Sequence, residues 1–133
     1  MYTDRGFSFL EVLVVTAIFG ILAVIAVPQY SVYRERGYAA SAAHDLRNVA
    51  AAEEALFAQT GRYQPVPSCV GTSPSTRCEV ANLPGVSALS KGIILEVSTT
   101  AHGFSGTARH ANSSTICRWD STQGGMLGCS STK

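Results

Sequence analysis

A long apolar run near the amino terminus constrains the fold of this chain more than any other feature. The run extends from Val12 to Val27 without a charged residue. Continued back to Phe7, it would form about 31 Å of helix at about 1.5 Å per residue, which matches a bilayer hydrocarbon core about 30 Å thick. Because lipid offers no hydrogen-bond partners to a backbone, the run predicts a membrane-spanning helix over residues 7–28.

The residues after Pro28 have the pattern of an amphipathic helix that continues to Thr60. Apolar side chains recur there at spacings of three and four, and many alanines add intrinsic helix propensity. Gly61 then supplies a suitable helix C-cap. We therefore expect one long helix over residues 7–60. Gly20 and Pro28 are its weak positions, because glycine costs about 1 kcal/mol in a helix interior and proline removes a backbone hydrogen bond.

The remaining residues, 61–133, are expected to form a small head. Residues 61–91 are rich in proline, glycine, serine and threonine, which is typical of a loop. After Gly92, short runs with β-propensity predict an antiparallel sheet that packs on the second half of the helix, while the apolar half of the helix protrudes. The predicted fold class is therefore α+β. The predicted strands are Ile93–Thr99, Phe104–Arg109, Thr115–Trp119 and Gly125–Gly128.

Four cysteines, Cys69, Cys78, Cys117 and Cys129, lie in the predicted head. Their spacings lack the C-x2-C pattern of zinc sites, so the sequence gives little support to a metal centre. Two disulfides are the preferred interpretation, and Cys69 with Cys78 and Cys117 with Cys129 is the simplest of the possible connectivities. Bridges of this size stabilise a domain by about 2–3 kcal/mol each and indicate an oxidising compartment outside the cytoplasm.

Composition and motifs argue against an enzyme and against a strongly basic nucleic-acid-binding protein. The net charge is +1, and the chain has no G-x-S-x-G, H-E-x-x-H or P-loop pattern, so no catalytic residue and no cofactor is predicted. Arg34, Arg36 and Arg47 could form a basic strip for DNA, which leaves nucleic acid as an undecided partner. Ordinary charge pairing along the helix is favoured, because acidic residues lie among these arginines: Glu35, Asp45, Glu53 and Glu54.

Glu11 is the one acidic side chain within the apolar region. Insertion scales place the cost of a carboxylate in the membrane interior at about 3 kcal/mol, so such a residue is expected to have a partner or a function. No basic residue occurs between Val12 and Val27, and the partner must therefore come from elsewhere. The plainer alternative is that Glu11 lies at the headgroup boundary of an ordinary signal anchor.

The residues around Glu11 resemble the processing site of type IV prepilins. The segment RGFSFLEV, residues 5–12, combines a leader ending in Gly6 with a phenylalanine at the next position and a glutamate four residues after it. The resemblance is close over the leader and the predicted helix and looser in layout beyond them. It implies a leader peptide of residues 1–6, cleavage between Gly6 and Phe7, and N-methylation of Phe7.

The same resemblance implies a structural subunit of a type IV pilus filament. Such a subunit stays in the inner membrane as a precursor, is processed by a prepilin peptidase and methyltransferase, and self-associates through its apolar helix with the help of a pilus assembly machinery. The new α-ammonium of Phe7 would pair with Glu11 of the same or a neighbouring subunit and set the filament register. Gly20 and Pro28 would mark a kink or a local unwinding, and the head would face the cell exterior and carry adhesion.

Two other functions remain open for this sequence. A pseudopilin of a type II secretion system is similar at its amino terminus, but major pseudopilins tend to have a calcium site in their C-terminal loops, and Asp120 is the one carboxylate side chain after Val97. An ordinary exported or adhesive domain is the second alternative, with residues 1–26 as a cleaved signal peptide. Glu11 disfavours that interpretation, because it interrupts the apolar region that a signal peptide needs.

Overall fold

The structure, a computed structural model, describes residues 6–71 and 78–131 of the chain. It contains one long helix, α1, from Phe9 to Thr60, and a five-stranded antiparallel sheet, which confirms the predicted α+β class. Short 3-10 helices cover Glu79–Asn82 and Ser121–Gln123. The strands are β1 (Val66–Val70), β2 (Ile93–Thr99), β3 (Phe104–His110), β4 (Thr115–Asp120) and β5 (Gly125–Ser131).

The first compact unit ends at Arg34 and contains the apolar part of α1. Every residue from Gly6 to Arg34 is exposed in the single chain. By length and composition, α1 can cross a membrane, as the sequence predicts. The helix is continuous at Gly20 and Pro28, and the Ser31 hydroxyl donates a hydrogen bond of 2.8 Å to the Pro28 carbonyl. A kink or unwinding at these two positions thus stays a prediction.

The second compact unit, from Glu35 onward, contains the end of α1 and the sheet. The strands follow one another in the order β1-β2-β3-β4-β5, each hydrogen-bonded to the next. The four strands predicted from the sequence are present, and β3, β4 and β5 end later than expected, at His110, Asp120 and Ser131. Pairing with β4 extends β5 beyond Gly128, through small polar residues that have little β-propensity of their own.

The prediction that residues 61–91 form only a loop is wrong, because β1 lies within them. This strand contains Pro67 and pairs with β2 at the edge of the sheet, with a register irregularity between Val66 and Cys69. Proline is tolerated at an edge position because it needs no ladder hydrogen bond there. Pairing with β2, rather than local propensity, therefore makes this segment a strand.

The core lies between the second half of α1 and the inner face of the sheet. Ala42, Leu46 and Val49 recur at helical spacing on the buried side of α1. They belong to one cluster with alternate residues of the strands, among them Leu95 of β2. At Gly106 of β3, an added Cβ would lie 2.9 Å from Leu46 Cδ1, so the glycine lets the helix approach the sheet closely.

Two disulfides close the head. Cys69 of β1 is bonded to Cys78, immediately before the first 3-10 helix, and Cys117 of β4 is bonded to Cys129, the residue opposite it in β5. Cys117 is fully buried, and its Sγ lies 3.6 Å from the carbonyl oxygen of Ala39 on α1. The second bridge therefore joins the core to the last strand.

Candidate functional site

The segment that resembles a processing site precedes and begins α1. Gly6, Phe7 and Ser8 are non-helical and exposed, with 79% of Phe7 accessible. The Ser8 carbonyl accepts hydrogen bonds from the N–H groups of Glu11 at 3.0 Å and Val12 at 3.3 Å. The first turn of the helix is therefore anchored next to the expected cleavage point, and the bond between Gly6 and Phe7 lies in accessible backbone outside the helix.

Two glycines of this part of the chain have no packing reason within the chain. A Cβ added at Gly6 or at Gly20 would meet no atom of the described residues within 4 Å beyond the adjoining backbone. Glycine at position 20 nevertheless weakens the helix by about 1 kcal/mol relative to alanine. The described residues thus leave open space at both glycines.

Glu11 lies in the first turn of α1, where the partial positive charge of the helix N-terminus favours a carboxylate. Its side chain is exposed in the single chain. Among the residues that the structure describes, Glu11 has no ion pair within 4.0 Å. Its neighbours are apolar side chains, so burial of this surface would leave the carboxylate in need of a cation.

The apolar half of α1 presents a continuous surface that no residue of the described chain covers. The most apolar window of the helix has none of its area buried. Exposed apolar patches on soluble monomers seldom exceed a few hundred Å², and larger ones mark contacts with protein or membrane. The large residues exposed here are Phe7, Phe9, Leu10, Val12, Leu13, Val14, Val15, Ile18, Phe19, Ile21, Leu22, Val24, Ile25 and Val27.

Three carboxylates on the second half of α1 fasten the head to the helix. We call Glu35, Asp45 and Glu53 the helix carboxylates. Each accepts hydrogen bonds from a different segment of the head. Charge pairing with the helix arginines, which the sequence favours, stays a prediction. Donors to Glu35 and Asp45 lie 78 and 45 positions away in the sequence and the donor to Glu53 lies 11 positions away, so the sequence alone does not identify these donors.

Glu35 holds the turn between β3 and β4. Its Oε1 accepts the Ser113 hydroxyl at 2.5 Å and the Thr115 hydroxyl at 3.0 Å. Both hydroxyls stabilise the ionised form, which lowers the pKa of the Glu35 carboxyl below its usual value. The Ser113 oxygen also accepts the Thr115 N–H at 3.0 Å, so the same serine orders the turn and binds the helix.

Asp45 and Glu53 are both buried, at 6% and 0% exposure. Asp45 accepts two hydrogen bonds from Ser90, in the segment before β2. Oε2 of Glu53 accepts the Gln64 N–H at 2.8 Å, whereas Oε1 has no hydrogen-bond partner among the described residues. Burial therefore raises the pKa of the Glu53 carboxyl above its usual value. One sequence signal points to Glu53, since it continues the buried helical spacing of Leu46 and Val49.

A protein-family model and a known pilin are similar to this chain. Residues 1–27 match the family model described as the prokaryotic N-terminal methylation motif. Over 71 residues the chain is 32% identical to the type IV major pilin protein PilA of Myxococcus xanthus (strain DK1622). That match covers 53% of this chain and 32% of PilA, so the chain spans about a third of this relative. The predicted resemblance to type IV prepilins is confirmed, and the similarity is to a structural protein.

Proposed function

We propose that this chain is the precursor of a type IV pilin, a structural subunit of a surface filament. The precursor is held in the inner membrane by residues 7–28 and cut between Gly6 and Phe7. Phe7 is then N-methylated, and the mature subunits associate through their apolar helices, with the head turned outward. The observation that carries this proposal is the exposed apolar half of α1 with Glu11 in its first turn.

Burial of the apolar surface supplies the attraction between subunits and the membrane. Apolar area removed from water is worth about 25 cal/mol per Å², whether the covering surface is lipid or protein. A subunit can therefore leave the bilayer for a bundle of identical helices without a large change in free energy, since packing replaces lipid contact. Apolar burial alone gives no preferred register, because the side chains between Val12 and Val27 are similar along the helix.

Glu11 fixes the axial register between neighbouring helices in the filament. Cleavage after Gly6 creates an α-ammonium on Phe7, which is the cation that the carboxylate lacks within its own apolar region. In a bundle of parallel helices, Glu11 can reach the amino terminus of a neighbouring subunit. Such a pair adds little net stability, but a subunit in the wrong register leaves a buried charge unpaired, at a cost of about 3–5 kcal/mol.

Gly20 and Pro28 allow the helix to adapt when it packs. Pro28 has no N–H, so the Val24 carbonyl lacks its helical hydrogen bond, and Gly20 contributes no side chain to the helix surface. Both positions are costly for an isolated helix. We infer that they permit a local kink or unwinding in the filament, which would lengthen the segment between them.

The helix carboxylates suit a head that must stay attached to its helix in a filament under tension. They fasten the turn after β3, the segment before β2 and the segment before β1 to α1 at three separate heights. Together with the two disulfides, these contacts oppose separation of sheet and helix. The partners that this function requires are a prepilin peptidase and methyltransferase, a pilus assembly machinery and further copies of the chain.

The chemistry of Asp120 supports a pilin over a pseudopilin with a calcium site. Its carboxylate caps the 3-10 helix Ser121–Gln123. Oδ1 accepts the N–H and hydroxyl of Thr122 at 2.8 and 2.7 Å, and Oδ2 accepts the Gln123 amide at 2.9 Å. These contacts lower the pKa of Asp120. A carboxylate so engaged is a poor ligand for Ca²⁺, which takes six to eight oxygens.

The Glu11→Ala variant tests the proposed role of the acid in assembly. We expect the precursor to reach the membrane in normal amount and filament yield to fall at least about tenfold, because no pair then fixes the register. Thr16→Ala is the matched control, since it changes the other polar side chain of the same region and should leave the yield unchanged. Normal filament yield from Glu11→Ala would show that the register argument is wrong.

A further inference from the structure

The face of the sheet that points away from α1 carries a shallow cleft of about 270 Å³. Side chains alternate along each strand, so the neighbours of the core residues Leu95 and Cys117 point to this opposite face. The cleft is separate from the segment proposed for processing and assembly. Its lining includes Ile94, Glu96, Thr107, Arg109, Ile116 and Arg118.

Two arginines of neighbouring strands share the cleft. The register pairs Arg109 with Ile116 and Thr107 with Arg118. The two arginines are therefore diagonal neighbours, with Cα atoms about 7–8 Å apart. At that separation their flexible side chains can bring two guanidinium groups to one anion from two sides. The like charges of the two side chains repel each other, and an anion bound between them relieves that repulsion.

The arginines have no carboxylate partner among the residues that the structure describes. Glu96 also borders the cleft, where it is paired across the strands with Thr107. It forms no ion pair within 4.0 Å with either arginine. The lining therefore carries one net positive charge, and Glu96, a diagonal neighbour of Arg109 in the same register, competes with a ligand for that arginine.

The residues around Arg109 and Arg118 strengthen the attraction for an anion. Ile94 on β2 and Ile116 on β4 lie opposite Arg109 on its two sides. These half-buried isoleucines flank the stem of the half-buried Arg109, whereas Arg118 is exposed, so solvent screens a charge contact to Arg109 less than one to Arg118. Thr107 adjoins Arg118 and offers a hydroxyl that can donate to an oxygen of the ligand.

We propose that this cleft binds a phosphomonoester carried on a small organic molecule, for which glucose 6-phosphate serves as the probe. A guanidinium group donates two parallel hydrogen bonds to phosphate oxygens, and a dianionic phosphate can accept from both arginines at once. The cleft is close to the lower size limit of small-molecule sites, about 300 Å³. Duplex nucleic acid is disfavoured as the occupant, because two arginines neutralise too few phosphates.

Calorimetric titration of the full chain in non-ionic detergent with glucose 6-phosphate tests the site. We expect saturable binding that is weakened about tenfold or more by Arg109→Gln and by Arg118→Gln. Arg47→Gln, which removes an exposed arginine of α1 outside the cleft, is the matched control and should bind like the wild type. Glu96→Gln should bind a few times more tightly, because it removes a negative charge from the lining.

One further variant and two further ligands separate the contributions of charge, donor geometry and the sugar ring to the affinity. Arg118→Lys keeps the charge but loses the paired donors, so it should bind less tightly than the wild type and more tightly than Arg118→Gln. Glucose alone should not bind, and inorganic phosphate should bind more weakly than the sugar phosphate. Equal affinity for inorganic phosphate, equal loss in Arg47→Gln, or no saturable binding at millimolar ligand would overturn the proposal. Unfolding curves of each variant, followed by Trp119 fluorescence, determine whether a variant that loses binding is still folded.

Discussion

The buried Asp45 carboxylate on α1 accepts two hydrogen bonds from Ser90. The Ser90 N–H donates to Oδ2 at 2.6 Å, and the Ser90 hydroxyl donates to Oδ1 at 3.0 Å. The two residues are 45 positions apart in the chain, so this contact fixes the segment before β2 against the helix. Hydrogen bonds to a charged group are worth about 1.5–3 kcal/mol.

Replacement of Asp45 should therefore destabilise the head. Asp45→Ala is expected to lower the free energy of unfolding by about 2–3 kcal/mol, although alanine favours the helix. Ser90→Ala keeps the backbone donor, loses the hydroxyl donor and should cost about 1.5 kcal/mol. Ser41→Ala, an exposed position on the same helix, is the control and should change stability by less than about 0.5 kcal/mol. Urea unfolding followed by Trp119 fluorescence measures all three, and equal values for Asp45→Ala and Ser41→Ala would contradict the assignment.

Glu53 should make the head less stable as the pH rises. Burial raises the pKa of this carboxyl above its ordinary value of 4.5, and the Gln64 hydrogen bond offsets the rise only in part. The folded protein thus binds the proton more tightly than the unfolded chain does. The free energy of unfolding consequently falls as the pH rises from about 4.5 through the raised pKa of the folded state.

The Glu53→Gln variant should remove this decline and be more stable than the wild type at neutral pH. The glutamine oxygen can still accept the Gln64 N–H, while no charge has to be buried. Urea unfolding across the acidic and neutral range measures the difference. A variant that is less stable at neutral pH, or that retains the wild-type decline, would show that Glu53 is not the group responsible.

Glu35 should have the opposite pH dependence. Hydrogen bonds from Ser113 and Thr115 lower the pKa of its carboxyl below 4.5, so ionised Glu35 stabilises the folded state. This contribution is complete above the unfolded pKa and is lost as the pH falls through the lower pKa of the folded state. Glu35→Gln should be less stable than the wild type at neutral pH and should lose less stability on acidification. If Glu35→Gln lost as much stability on acidification as the wild type, Glu35 would be excluded as the source of that loss.

Removal of each disulfide should expose a different strand to hydrogen exchange. Replacement of Cys117 and Cys129 together by alanine should cost about 3 kcal/mol from loop closure alone and release β5, which pairs only with β4. Replacement of Cys69 and Cys78 should leave β5 protected and loosen β1 instead. Hydrogen exchange of the two strands measures this. Unchanged protection of β5 without the second bridge would contradict its role in holding the last strand.

The elements with local signals were predictable from the sequence. The apolar run and the spacing around Leu46 and Val49 predict α1, because helix formation and burial depend on residues three and four apart. Alternating apolar residues predict β2, where Ile93 and Leu95 are buried. Cys117 and Cys129 indicate a bridge, but their pairing follows from the strand register of β4 and β5.

The features that sequence reasoning missed depend on contacts between distant segments. β1 contains Pro67 and has weak propensity, and it forms because β2 offers a free edge. Asp45 and Glu53 look like ordinary surface acids by residue type, since the donors at Ser90 and Gln64 reach them only when the head folds onto α1. Acids within a buried helical stripe are the signal that could have identified them, because burial requires a donor.

The amino terminus of the chain in purified filaments tests the central proposal most directly. Intact mass and fragmentation by mass spectrometry identify the first residue and its modification. The proposal predicts a chain that begins at Phe7, carries one added methyl on its α-amino group and lacks residues 1–6. A chain that begins at Val27, as simple export would produce, would contradict it because such a chain lacks Glu11. A chain that retains Met1 would contradict it because Phe7 then has no α-ammonium for Glu11 to bind.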